Sequence, residues 1–170
     1  AGPWSAHFRI RGPPAALVQA ARVPHTGAMA KVETITSTAN PRVKDIVRLR
    51  RRPHRDAAGV LLIEGARELV RALDNGVRPL QVYVCTELLG AADGGPLARR
   101  CEEAGAERFD CSGAVFRKMA YRASPEGILA LAPAPRCGLD DLALRDPALL
   151  LVAESIEKPG NLGTMLRTAD

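Results

Sequence analysis

Between Val60 and Ala132 short apolar runs alternate with helical stretches, and no other feature restricts the fold of this chain as tightly. Val60-Leu-Leu-Ile63, Leu80-Gln-Val-Tyr-Val-Cys85, the weaker Glu107-Arg-Phe-Asp-Cys111 and Ile128-Leu-Ala-Leu-Ala132 have the length and turn-bounded character of strands. The segment from Ala66 to Asn75 turns Leu69, Val70 and Leu73 to one side and closes at Gly76, as a helix does. Pro96 to Ala104 reads as a short helix ended by Gly105, and Ser112 caps another that runs through Met119. Strands that alternate with helices bury both kinds of apolar face by layering, so the prediction is a small α/β sandwich. Pro133-Ala-Pro-Arg-Cys-Gly138 then interrupts the rhythm like a linker.

Upstream of this region the chain changes character. Residues 1–28 show no consistent period, contain Pro3, Pro13, Pro14 and Pro24, and read as a disordered leader or non-native extension, with Met29 the expected natural start. An acid-free segment with three arginines is also compatible with a transit peptide. From Val32 order is expected, and Asn40-Pro41 is a sound helix start, with Asn40 as N-cap and Pro41 at the first helical position. Val43, Ile46 and Val47 form its apolar stripe, and Arg42, Lys44, Arg48, Arg50, Arg51, Arg52 and Arg55 surround it.

Charge sharpens the view of that segment. The net charge is +5, but residues 31–55 alone hold eight basic and two acidic side chains, while residues 56–170 hold 13 basic against 17 acidic. Two readings stand: a solvated helix with a frayed basic end, or an element that meets phosphates. Few aromatic residues accompany the arginines, so base stacking is not the main mode suggested. No apolar run approaches the ~20 residues that a membrane-spanning helix needs. Cys85, Cys101, Cys111 and Cys137 include no Cys-x-x-Cys pair, and His7, His25 and His54 lie far from them. The expectation is reduced, mostly buried thiols in a cytoplasmic setting, without a metal.

The last stretch carries the chemistry. Ala148-Leu-Leu-Leu-Val-Ala153 reads as a buried strand, followed by Glu154, Glu157, Lys158 and a Pro-Gly-Asn turn, and then a helical pattern through Leu162, Met165, Leu166 and Ala169. In α/β proteins a strand, tight turn and helix form the usual seat of ligand chemistry. Gly160 and Gly163 allow close approach, Asn161 can donate and accept, and Arg167 stands one helical turn beyond Gly163 on the same face.

Here the sequence resembles a known family. Asn161-Leu-Gly163-Thr-Met-Leu-Arg167-Thr-Ala169 is similar to the first motif of the SpoU (TrmH-type) RNA ribose 2'-O-methyltransferases of the SPOUT superfamily, Asn-x-Gly-x-x-x-Arg-x-Ala. Ser37-Thr-Ala-Asn-Pro-Arg-Val-Lys44, Leu62-Ile-Glu-Gly65 and Ser124-Pro-Glu-Gly-Ile128 resemble, in order, phrases of the L30e-type substrate-binding domain that precedes the catalytic domain in that family. The resemblance implies an L30e-like α/β sandwich over residues 29–133, a linker over 134–147, and the first strand-turn-helix of a SPOUT α/β trefoil-knot domain over 148–170, ending before the knot.

It also implies the activity: methyl transfer from S-adenosylmethionine to a ribose 2'-hydroxyl, ribosomal RNA being favoured over transfer RNA. The cofactor pocket is expected beyond Asp170, and the full protein is expected to be a homodimer. Arg167 would be the catalytic arginine and Asn161 its partner in orienting the arginine or the ribose. A guanidinium is a poor proton acceptor, so a clamp on the adjacent phosphate suits Arg167 better than a base. Arg42, Lys44, Arg48, Arg51, Arg52, Arg55 and Lys158 are the candidate RNA contacts. Lys158 stands where many relatives have Asp, which weakens an acidic role there. Glu154, Glu157, Glu64, Tyr121 and Arg122 are lesser candidates, each equally readable as solvated or packed. The rivals are a non-catalytic L30e/L7Ae-like RNA-binding module, and an unrelated α/β nucleotide binder, which the lack of a glycine-rich phosphate loop disfavours.

Overall fold

The computed structural model describes residues 32–89, 91–135, 144, 146–154 and 159–169. The expectations for residues 1–28, Met29, Cys137, Glu157 and Lys158 lie outside the described residues. The chain divides into two compact units, residues 1–136 and 137–170.

The first unit holds β1 (Glu33–Ile35), α1 (Pro41–Leu49), α2 (Arg52–Ala58), β2 (Val60–Glu64), α3 (Ala66–Asp74), β3 (Gln81–Val84), α4 (Thr86–Leu89), α5 (Ala91–Glu103), β4 (Glu107–Cys111), α6 (Gly113–Met119) and β5 (Ile128–Pro133). Its five strands lie in the order β1-β4-β3-β5-β2. β1, β4 and β3 run parallel, and β5 is antiparallel to both β3 and β2, so the fold is a mixed α/β sheet. The predicted strands and helices form, with three additions, β1, α2 and the single-turn helix α4. Three-residue β1 is too short to show a period, and α2 occupies what reads in the sequence as a frayed basic end. Pro53 in its first turn and Gly59 at its left-handed C-terminus, φ 64°, are the signals that mark α2. The helix expected from Pro96 begins earlier, at Ala91, with Pro96 inside it.

Alternation along the strands sorts the core into two layers. Tyr83, Phe109 and Leu129 face a cluster with Val43 and Ile46 of α1 and Val115, Phe116 and Met119 of α6. Val82, Val84, Ile128 and Ala130 face the opposite cluster, with Leu69 of α3 and Leu97, Ala98 and Cys101 of α5. Each fully buried large apolar side chain stabilises the fold by roughly 1.5–3 kcal/mol. The rings of Tyr83 and Phe109 stack with centroids 5.1 Å apart. Burial pushes the Tyr83 hydroxyl well above the ordinary tyrosine range, and it donates to Gln81 Oε1 at 2.9 Å.

In the second unit the helix α7 (Pro159–Ala169) takes in the Pro-Gly-Asn sequence as its first turn. The run from Ala148 to Ala153, expected as a buried strand, forms none. Leu149 is 70% exposed and Val152 91%. An apolar run becomes a strand only where a neighbour takes up its backbone N–H and C=O groups, and among the described residues no strand pairs with it.

Candidate functional site

The basic segment folds into a corner between α1 and α2. Asn40 caps α1 by accepting from the Arg42 N–H at 2.9 Å, and Pro41 occupies the first turn, as predicted. Val43 and Ile46 point into the core, which leaves Lys44 and Arg48 exposed on the outer face. Arg50 and Arg51 are exposed at the bend between the two helices, and Arg52, also exposed, pairs with Asp56 at 3.3 Å.

Two further predicted contacts are engaged within the chain. Arg42 lies over the Phe109 ring, 4.4 Å from its centroid, and stands 3.8 Å from both Glu33 and Glu107. Arg55 turns back onto the end of α1, where its Nη1 donates to the carbonyls of Leu49 at 3.0 Å and Arg50 at 2.7 Å. A helix leaves its last carbonyls unsatisfied, and a cation placed there answers both the hydrogen bonds and the dipole. The structure therefore leaves Lys44, Arg48 and Arg51 as outward cations and Arg52 exposed beside Asp56, with Arg42 and Arg55 tied to the scaffold.

The same Arg55 Nη1 donates to the Tyr121 hydroxyl at 2.8 Å, and the Arg50 guanidinium lies 5.4 Å from the centre of the Tyr121 ring. Tyr121 is carried there by the end of β2. The Glu64 carboxylate, 9% exposed, accepts from the backbone N–H of Tyr121 at 2.6 Å and of Arg122 at 3.4 Å. Lys118 joins the neighbourhood, with Nζ on the Thr38 carbonyl at 3.1 Å. Arg50 and Lys118 are not among the contacts expected from the sequence, and 66 positions separate Tyr121 from Arg55 along the chain.

The two phrases around Gly65 and Glu126 meet in space. Glu126 Oε2 accepts from the Ala66 N–H at 3.1 Å, capping α3 from a distance of 60 positions. Arg122 donates to Glu68 at 2.8 Å and to Glu126. A hydrogen bond to its own backbone, and then Arg122, hold the Glu68 carboxyl below the usual carboxylate range. A Cβ at Gly65 would run into the Glu68 carboxylate and stand 3.0 Å from Arg122, so a side chain there would force this cluster apart. Glu64-Gly65 is thus a packed structural junction.

In α7, Asn161 and Arg167 are both exposed. Arg167 Nη2 lies 3.3 Å from Thr164 Oγ1, and a Cβ at Gly163 would be 3.7 Å from Arg167 Nη1, an ordinary contact distance. Asn161 and Arg167 are six positions apart and share no hydrogen bond among the described residues. Glu154 is exposed in a segment that is neither helix nor strand. Among the described residues no group of three or more His, Cys, Asp or Glu side chains could hold a metal, and no helix is long and apolar enough to cross a membrane. A groove of about 450 Å³ between α3 and α5 is lined by Arg67, Val70, Arg71, Pro96, Leu97 and Arg100, together with Ala66.

This chain is similar to proteins that modify RNA. The family of the MRM3-like substrate binding domain matches residues 40–130. An uncharacterized tRNA/rRNA methyltransferase of Synechocystis is 34% identical over 141 residues, covering 81% of this chain and 49% of that protein. The 23S rRNA guanosine 2'-O-methyltransferase RlmP of Bacillus subtilis is 27% identical over 139 residues, with 82% and 51% covered. Among solved structures, an RNA 2'-O ribose methyltransferase superposes with a TM-score of 0.60 at 43% identity, over 80% of this chain and 51% of that one. An rRNA methyltransferase of Sinorhizobium meliloti, at 24% identity and a TM-score of 0.59 over 83% of this chain and 52% of that one, shares the fold. The chain thus spans about half the length of the curated relatives it matches. With a five-stranded mixed sheet in place and the match running from the Asn40 cap to Ala130 in β5, the chain belongs to the family of the MRM3-like substrate binding domain.

Proposed function

We propose that the protein carrying this chain is an S-adenosylmethionine-dependent RNA methyltransferase acting on a ribose 2'-hydroxyl, with ribosomal RNA as substrate in preference to transfer RNA. In this reading residues 29–133 are an L30e-like RNA-binding domain, 134–147 a linker, and 148–170 the beginning of a SPOUT catalytic domain. The observation that carries it is the family match over residues 40–130 on a fold whose α1–α2 corner gathers outward cations. The Asn161…Gly163…Arg167…Ala169 pattern, set on one helix, supports the catalytic half.

Exposed Lys44, Arg48, Arg51 and Arg52 would neutralise backbone phosphates, which positions RNA without reading its sequence. Arg167 would grip the phosphate beside the target ribose with its planar fork and stabilise the alkoxide that develops at the 2'-oxygen. Asn161 would orient the ribose, and the proton would leave through that phosphate or water, because a guanidinium accepts protons poorly. The groove between α3 and α5 does not fit S-adenosylmethionine: three guanidinium groups line it against a sulfonium cation, and among the described residues no carboxylate lines it for a ribose diol. The cofactor pocket and the homodimer interface are assigned, within the same proposal, to the length of the relatives that this chain does not cover. The test is transfer of label from radioactive S-adenosylmethionine into ribosomal RNA by the full-length gene product. Label in ribose 2'-oxygens with wild type, and at least about 100-fold less with Arg167→Ala, is the expected result; RNA binding without transfer refutes the catalytic assignment.

A second reading, a non-catalytic RNA-binding module, draws on one observation. Asn161 and Arg167 stand exposed on α7 and share no hydrogen bond among the described residues. It predicts that Arg167→Ala changes nothing measurable.

A further inference from the structure

We propose that Tyr121 is a stacking platform for an unpaired RNA base, with Arg55 as its positioning residue and Arg50 as a cation over the ring face away from the base. The inference rests on the RNA-substrate reading above and adds a contact that favours single strands. It starts from how the ring is held. Tyr121 is 40% exposed although both of its polar ends are satisfied inside the chain. Its N–H donates to buried Glu64 at 2.6 Å, while its hydroxyl accepts from Arg55 at 2.8 Å and donates to the Leu49 carbonyl at 3.4 Å. Here the polar tip is anchored and a share of the apolar body is left to solvent, so the entropy of fixing an aromatic contact has already been lost on folding.

The surroundings suit a nucleic acid. Arg50 lies over one face of the ring, 5.4 Å from its centroid, and reaches the Lys118 carbonyl at 3.5 Å, so the proposal places the base on the opposite face, with the guanidinium behind the ring. Exposed Arg48, Arg51, Arg52 and Lys118 belong to the same elements or their immediate ends. A cationic track next to an exposed aromatic ring is the arrangement by which single strands are bound, phosphates on the cations and a base on the ring. A duplex keeps its bases stacked on one another and would meet only the cations.

The test titrates fluorescein-labelled single-stranded and duplex RNA of equal length with the 170-residue chain, by fluorescence anisotropy over a salt series. Tyr121→Leu is expected to weaken single-strand binding at least about five-fold and leave duplex binding and the salt slope unchanged. Tyr121→Phe keeps the ring but frees it from Arg55, and is expected to weaken single-strand binding less than Tyr121→Leu and about as much as Arg55→Ala. Arg51→Gln is expected to weaken both RNAs and to lower the single-strand slope by about 0.7. A 2-aminopurine in the single strand, quenched on binding wild type, reads stacking directly, and its lack of quenching overturns the proposal even if Tyr121→Leu fails to fold. Unchanged single-strand affinity in a folded Tyr121→Leu overturns the platform and leaves the RNA reading standing. Failure of wild type to bind either RNA removes both.

Discussion

The Arg42 guanidinium lies 4.4 Å from the centre of the Phe109 ring and thereby ties α1 to β4 across the edge of the sheet. With Glu33 and Glu107 each 3.8 Å away, the cation sits over an aromatic face between two carboxylates. Such a contact contributes about 0.5–2 kcal/mol, and half-exposed ion pairs add only a few tenths each. Arg42→Gln is therefore expected to cost about 1–2 kcal/mol in urea denaturation. It should leave the salt slope of RNA binding unchanged, and a slope lowered as far as in the Arg51 variant would show that Arg42 leaves its ring to meet phosphate.

Gly127 and Gly76 have nearly the same backbone, φ 81° and 80°, yet substitution should affect them very differently. A Cβ at Gly127 would stand 2.6 Å from the Leu89 nitrogen and 2.7 Å from the Cys85 carbonyl, both backbone atoms that cannot swing aside. A Cβ at Gly76 would meet nothing within 4 Å. Gly76→Ala should cost only the left-handed penalty of about 1–2 kcal/mol. Gly127→Ala should cost more than about 4 kcal/mol or abolish folding. Equal melting temperatures for the two variants would contradict this.

Glu64 joins β2 to the loop that carries Tyr121. Glu64→Ala strands two backbone N–H groups next to the core, those of Tyr121 and Arg122, and should cost about 2–4 kcal/mol. Glu64→Gln keeps an acceptor and should lose less than half of that. Because Tyr121 is positioned by this carboxylate, Glu64→Gln should also weaken single-stranded RNA binding more than duplex binding; equal losses on the two would separate the carboxylate from the ring.

Burial raises two thiols, Cys101 to about 11 and Cys111 to about 12. Their folded values exceed the ordinary thiol value of about 8.5, so the folded state retains protons that the unfolded chain has released. The associated stability is complete below about pH 8.5 and is lost as pH rises toward 11, so the urea midpoint should fall across that window. At pH 8, Cys85, Cys101 and Cys111, all buried, should react with a thiol reagent far more slowly in the native protein than in urea, read by peptide mass.

Much of the fold is legible in the sequence because its signals are local. Asn40-Pro41, Ser112 and Gly76 punctuate helices, and the apolar runs at Val60, Leu80 and Ile128 become strands because neighbours exist to pair with them. The run at Ala148 carries an equally apolar signal and forms no strand, since pairing is not a property of the run itself. The candidate site is less legible. Composition marks the basic segment but cannot separate Arg42 and Arg55, which turn inward to a ring and to helix-end carbonyls, from Arg51, which does not. Nor can it place Tyr121 beside Arg55, a juxtaposition made by the sheet and by Glu64.

Arg55 and Arg51 lie four positions apart and should respond in opposite ways. Arg55 closes the exposed end of α1, with Nη1 on the Leu49 and Arg50 carbonyls and on the Tyr121 hydroxyl. Removing it in Arg55→Ala leaves those carbonyls without their charged donor and should cost about 1.5–3 kcal/mol of stability. Arg51 is exposed and caps α2 with no side-chain hydrogen bond, so Arg51→Ala should stay within about 0.5 kcal/mol of wild type. In RNA binding the order reverses for charge: Arg51→Ala should lower the slope of log affinity against log salt by about 0.7–0.9, the signature of one phosphate that is no longer neutralised. Arg55→Ala should weaken single-strand binding through the released tyrosine while leaving the slope nearly as it was. Urea denaturation and a salt series on the same two variants decide the matter, and a slope change at Arg55 as large as at Arg51 would mean that Arg55 meets phosphate after all.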